Sequence, residues 1–159
     1  MVFQLSAIVC FGTIAYQDIK DRMVYAFLFP LLGVFLAVTF YQNTTTQLFW
    51  YYSFMNLLLV GTILLILWCY TRFILQKAFL NASLGLGDVL LFLALAFGFP
   101  TITFLIALSF SFVFSLLLYL TFKYKAGMET VPLAGFISLF FVMLMVGSFL
   151  LPTIELYRL

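Results

Sequence analysis

Six long apolar runs, each bounded by polar or turn-forming residues, divide this chain into near-equal pieces: 2–17, 23–41, 48–70, 86–99, 102–122 and 131–151. A water-soluble fold has no place for them. Apolar residues make up 67% of the 159-residue chain and charged residues only 8%, with 22 Phe, against about half and about a quarter in an ordinary soluble domain. Twelve formal charges could not shield that apolar surface from water, so the bilayer is the solvent to reason with. In lipid every backbone N–H and C=O needs a partner inside its own segment, and each run is therefore expected to be helical. The expectation is an all-α, polytopic membrane protein of six transmembrane helices forming one domain, residues 1–159. The first and fourth runs fall short of the roughly 20 residues of a full crossing, and each is expected to continue through adjoining polar residues. The N-terminal Met1-Val2-Phe3-Gln4 lacks a basic stretch, so the first run reads as a retained span.

Orientation follows from the basic residues. Lys20, Arg22, Arg72, Lys77, Lys123 and Lys125 lie in the first, third and fifth connections, while only Arg158 lies in the tail and none in the second or fourth connection. The positive-inside rule then places the odd connections in the cytoplasm and both chain ends outside. Pro30, inside the second run, is expected to kink that helix; Pro100 and Pro152 mark boundaries. Tyr and Trp near the run ends suit the headgroup layer.

The residue inventory excludes several chemistries. There is no histidine, which removes Ser-His and Cys-His nucleophiles and the commonest zinc ligand. Cys10 and Cys69 are far apart and each lies within an apolar run, where free cysteine packs as a small apolar group. A formal charge of +2 is too small and scattered for nucleic acid. No metal or cofactor is expected.

Acidic groups at membrane depth are costly, and the chain has three aspartates, Asp18, Asp21 and Asp88. Asp18 ends the first run and Asp88 opens the fourth. In the alternating topology those two ends share the cytoplasmic side, so two carboxyls 70 positions apart could meet at one depth. Asp88 is preceded by Gly85-Leu86-Gly87, and glycine permits either φ > 0 or close approach of another segment. Each acid also has a plainer reading. Asp88 could cap its helix N-terminus, and Asp18 could be an interfacial acid screened by Lys20 and Arg22. A paired role would be acid–base catalysis: an ionised carboxyl takes a proton from water while a protonated one hydrogen-bonds the scissile carbonyl. Because Asp18 sits at a helix C-terminus and Asp88 at an N-terminus, the macrodipoles nominate Asp88 as the base and Asp18 as the acid.

With those residues in view, the chain resembles the type IV prepilin peptidases and archaeal preflagellin peptidases, G-x-G-D intramembrane aspartyl proteases. The likeness runs through Asp18-Ile19-Lys20-Asp21-Arg22-Met23-Val24-Tyr25-Ala26, through Gly85-Leu86-Gly87-Asp88-Val89-Leu90-Leu91, and loosely through Val131-Pro132-Leu133-Ala134-Gly135-Phe136. Tyr25 and Ala26 stand where Pro-Asn is usual in that family, and Leu90 where lysine often follows the second aspartate. The resemblance implies that Asp18 and Asp88 are the catalytic pair, with Gly85 and Gly87 positioning the backbone. It implies a pilin-like or preflagellin-like precursor as substrate, whose short basic leader is removed at the cytoplasmic face of a prokaryotic inner membrane. The two C-x-x-C pairs of larger, methylating members are missing, so no methyltransferase activity is expected. Asp21 and Glu129, on the same face, either attract a basic leader or are solvated loop charges. Two other readings remain: a small proton-coupled transporter carrying protons on Asp18 or Asp88, and an inactive, peptidase-like assembly factor.

Overall fold

The computed structural model describes residues 2–75, 85–126, 132–150 and 156–157, except the side chains of 74–75 and 122–126. The Lys77, Glu129, Pro152 and Arg158 assignments, and those resting on the Lys123 and Lys125 side chains, fall outside these limits. Six α-helices match the six apolar runs: α1 Val2–Asp21, α2 Leu28–Gln42, α3 Thr46–Tyr70, α4 Leu86–Leu95, α5 Thr101–Ala126 and α6 Leu133–Leu150, with a π-helical turn Thr71–Leu75 extending α3. No strand occurs among the described residues.

Four of these helices, α1, α3, α5 and α6, are long and apolar enough to cross a bilayer, while α2 and α4 are shorter apolar helices. The polar residues after Gln17 do extend α1, to Asp21. The fourth run behaves otherwise. Its helix stops at Leu95 after 10 residues, about 15 Å at 1.5 Å per residue. The chain then turns through Ala96–Phe99, and Asn56 of α3 donates from Nδ2 to the Ala96 and Phe99 carbonyls, at 3.0 and 2.8 Å. These bonds satisfy carbonyls that a helix C-terminus leaves open.

Pro30 also departs from expectation. Because α2 starts at Leu28 rather than Met23, Pro30 is the third residue of its helix, where the missing N–H would have had no intrahelical partner. The proline sits in a helix start and interrupts nothing. Pro30→Ala is accordingly expected to change stability by less than about 1 kcal/mol, against about 3 for a mid-helix proline, measured as the unfolding midpoint in mixed micelles.

The bundle is apolar outside and carries its small polar groups inside. Phe54, Leu58, Leu65 and Ile66 of α3 and Ile106, Phe110, Val113 and Leu117 of α5 are exposed, whereas Thr39, Ser53, Asn56, Ser111, Ser115 and Ser138 are buried. In water the outer faces would be a liability; lipid solvates them at no cost. Ser111 and Ser115 return their hydroxyls to the carbonyls of Leu108 and Ser111 on the same helix, each at 2.7 Å, as most buried polar groups do, whereas the Ser53 and Ser138 hydroxyls have no partner among the described residues.

The most extensive helix contact is α1 against α6. On α1 the buried stripe is Ala7, Cys10, Phe11 and Ile14; on α6 it is Ala134, Ile137, Phe141 and Met145. Both follow the spacing of residues three and four apart that share one helix face. The helices run antiparallel, so that Phe11 stacks on Phe141 with ring centroids 5.5 Å apart and planes at 12°, while Asp18 near the end of α1 meets Gly135 at the start of α6. Cys10 joins this core; Cys69 is only half-buried, and neither forms a disulfide.

Candidate active site

The site forms where the last turn of α1, the first turn of α4 and the first turn of α6 come together. Asp18 continues the buried α1 stripe one turn beyond Ile14. Asp88 likewise precedes Leu91 and Leu95, both fully buried, on the inward stripe of α4. Each acid therefore occupies a position where its helix would otherwise bury an apolar side chain. Both are half-buried, and they share a cleft of ≈ 530 Å³ with Arg22, Gly85, Gly87 and the Pro132–Ala134 segment. The two carboxyl groups lie within Coulombic reach of each other.

Backbone amides hold both groups. The Gly135 N–H donates to Asp18 Oδ2 at 2.6 Å, across 117 residues of sequence. Asp88 accepts from the Gly85 N–H at 3.2 Å, and the backbone of Ala134 lies beside it in the cleft wall. The plainer reading of Asp88 is thus realised alongside the paired one, because its carboxyl caps the start of α4 and also faces the cleft. The two glycines act by close approach. Gly85 has φ −65°, and the left-handed conformation foreseen as an option is not used at either position. A Cβ on Gly85 would sit 3.0 Å from Asp88 Oδ2, and one on Gly87 would sit 3.4 Å from the Phe29 ring of α2.

The residue in the left-handed region is instead Arg22, with φ 55°. It follows the last residue of α1, where helices commonly end in this conformation, and it is unusual for a side chain this large. The turn brings Arg22 to the cleft wall, where its charge acts on Asp18. Screening of Asp18 therefore comes from Arg22. Lys20 instead donates to the Tyr16 hydroxyl at 2.9 Å and lies over the Tyr16 ring. The loop after Arg22 is tied back to α1 by the Tyr25 N–H, which donates to Gln17 Oε1 at 3.3 Å.

The dipole argument for separating acid from base does not survive this geometry. Asp18 is at the C-terminal end of α1, yet its carboxyl sits on the N-terminal end of α6, whose partial positive charge opposes the effect of α1. Both acids are held at helix N-termini, and helix ends no longer distinguish them.

Among the described residues no group of three or more His, Cys, Asp or Glu side chains is placed to hold a metal ion. A second hollow of ≈ 340 Å³ lies between α2 and α4, lined by Phe29, Gly33, Leu90, Ala94 and other side chains that carry no ionisable group. Of these two hollows, the one that carries carboxyl groups is the cleft of Asp18 and Asp88. Sequence reasoning singled out Asp18, Asp88, Gly85 and Gly87 but gave the Gly135 amide no role. Its signal was a proline, Pro132, opening a helix whose third residue is glycine.

In comparisons with protein-family models, curated proteins and solved structures, nothing matches this chain.

Proposed function

We propose that this protein is an intramembrane aspartyl endopeptidase of the type IV prepilin and preflagellin peptidase kind, cutting the short basic leader from a pilin-like precursor. The observation that carries the reading is the convergence of Asp18 and Asp88, from opposite ends of two different helices, in one cleft of ≈ 530 Å³. In this reading all six apolar segments cross the inner membrane, the fourth as the short α4 continued by the Ala96–Phe99 turn, both chain ends lie outside, and the cleft opens to the cytoplasm beside the basic connections.

The chemistry needs only the pair. Close carboxyls share one proton. The ionised member removes a proton from a water as its oxygen adds to the scissile carbonyl carbon, and the protonated member passes its proton to the carbonyl oxygen. Collapse of the resulting diol breaks the C–N bond, with the amine leaving group taking a proton from the pair. The short α4 supports the reading, since a helix of about 15 Å reaches only half of a hydrocarbon core about 30 Å thick, and the cleft at its open end gives water a route to Asp88. A substrate whose apolar helix already lies in the bilayer would bring its cytoplasmic end to that level.

The test is reconstitution of the purified protein in liposomes with pilin-like precursors from the same genome, followed by mass analysis of the product N-terminus. One new N-terminus at the junction of leader and apolar helix is expected. Intact precursors throughout would sink the proposal, and proton flux in liposomes without a precursor would point to transport instead.

A further inference from the structure

The carboxyl pair needs a third element to bring it to one place. Neither α1 nor α4 supplies it, because the two acids have no hydrogen-bond partner on each other's helix among those described. We propose that Gly135 is a positioning residue for the acid pair: the first turn of α6, which lines the cleft beside Asp88, offers an amide to Asp18, and only glycine at 135 lets Asp18 reach it. The activity arm of this inference rests on the peptidase reading; its structural arm does not.

Three observations carry it. First, Leu133, Ala134 and Gly135 open α6, and the earliest helix-type bond there runs from the Phe136 N–H to the Pro132 carbonyl at 3.1 Å. The amides before Phe136 have no partner inside the helix; that of Gly135 is turned on Asp18, and Ala134 lines the cleft beside Asp88, close enough for its backbone to act on that carboxyl. Hydrogen bonds to charged acceptors are among the strongest available, and one rigid turn beside both acids sets their spacing. Second, a Cβ at 135 would lie 3.1 Å from Asp18 Cβ, Asp18 Oδ2 and Ile19 Cγ1 at once. Two of those atoms belong to Asp18 itself, so the acid has to give by a few tenths of an ångström. Third, the crowding at 135 comes from three atoms at once, whereas Gly12 and Gly61 have no atom within 4 Å of an added Cβ, and the one described glycine with a shorter contact, Gly85 at 3.0 Å, also meets a carboxyl of the pair.

The structural arm is read by amide NMR on full-length protein in micelles, labelled with ¹⁵N-glycine and ¹⁵N-alanine. In Asp18→Asn the Gly135 resonance should show the largest shift, and in Asp88→Asn the Ala134 resonance. No displacement at these two amides, or an equal one at every labelled amide, overturns the proposal, whether or not any precursor is cut. In the activity arm, Gly135→Ala should lower kcat for a pilin-like precursor by about 10-fold, short of the ~10²-fold that a full 1 Å misplacement costs, because the crowded atoms need give by only a few tenths of an ångström. KM should stay within about twofold, since precursor binding does not depend on the carboxyl spacing, and Gly12→Ala should behave as wild type. An unchanged kcat, or a rise in KM alone, overturns the proposal. Should Gly135→Ala fail to reach the membrane, the NMR assignments decide. If the NMR pairing holds while no precursor is cut by the wild type, the peptidase reading fails and the positioning role stands.

Discussion

Asp18→Asn and Asp88→Asn are each expected to reduce leader removal to the background rate, and the double variant to be no worse than either single one. The non-additivity is the informative part. Two carboxyls sharing one proton act as a unit, so removing either member removes the proton transfer, and a second substitution has nothing left to remove. Asparagine keeps the shape, and its Oδ1 can still accept from the Gly135 amide at 18 or the Gly85 amide at 88, so the variants should fold and reach the membrane in wild-type amounts. Asp18→Glu should fail almost as completely, because Asp18 Oδ2 is already 2.6 Å from the Gly135 nitrogen and an added methylene must push the carboxyl off that amide. Quantitative co-expression assays that score mature against precursor protein check all four variants. Normal processing by either Asn variant would reject the dyad.

Asn56→Leu should produce the largest loss of stability of any single buried polar substitution. Asn56 is fully buried, and its side chain is the partner of two carbonyls in the turn that ends α4. Leucine would leave both acceptors facing an apolar interior, at a cost of about 1–3 kcal/mol for an unsatisfied buried group. Partner switching within the membrane reduces such penalties, and interhelical hydrogen bonds there average about 0.6 kcal/mol. A loss of about 1–3 kcal/mol is therefore the expectation, read as a lower unfolding midpoint in mixed micelles. Since Asn56 holds the far end of α4 from Asp88, kcat at low temperature should fall far less than stability. An unchanged midpoint would mean that the Ala96–Phe99 turn is held by packing, for example the stacking of Phe99 on Tyr157 with centroids 6.0 Å apart.

Helix count, approximate bounds and the solvent class were all legible in the sequence, because the need to satisfy backbone groups within lipid leaves little choice for an apolar run. Bounds failed where another element intervened. Met23 begins the second apolar run but not α2, since the chain from Arg22 to Phe27 is spent on leaving the left-handed turn and binding back to Gln17. Similarly, the fourth run continues to Phe99 as composition, whereas Asn56 ends its helix at Leu95 from α3.

Within the site, residue type and placement singled out the two acids, because a carboxyl amid apolar residues is conspicuous in any chain. What those carboxyls would rest on was not visible. In a soluble helix a polar face marks the outside and so identifies the core face; here α3, α5 and α6 are apolar all round, and no periodicity in them says which residues turn inward. Facing is settled by side-chain packing between helices, which depends on which stripes fit. The fit of Phe11 to Phe141 sets the α1–α6 register, that register delivers Asp18 to the Gly135 amide, and the absent Cβ at 135 lets it stay. Sequence alone determined that this chain belongs in a membrane as a bundle of helices with two acids at helix ends. Only the tertiary structure decided that those acids share one cleft, and that they do so at the first turn of a third helix whose Gly135 amide holds Asp18, because amide direction and interhelical register are properties of the packed bundle that no single apolar run encodes.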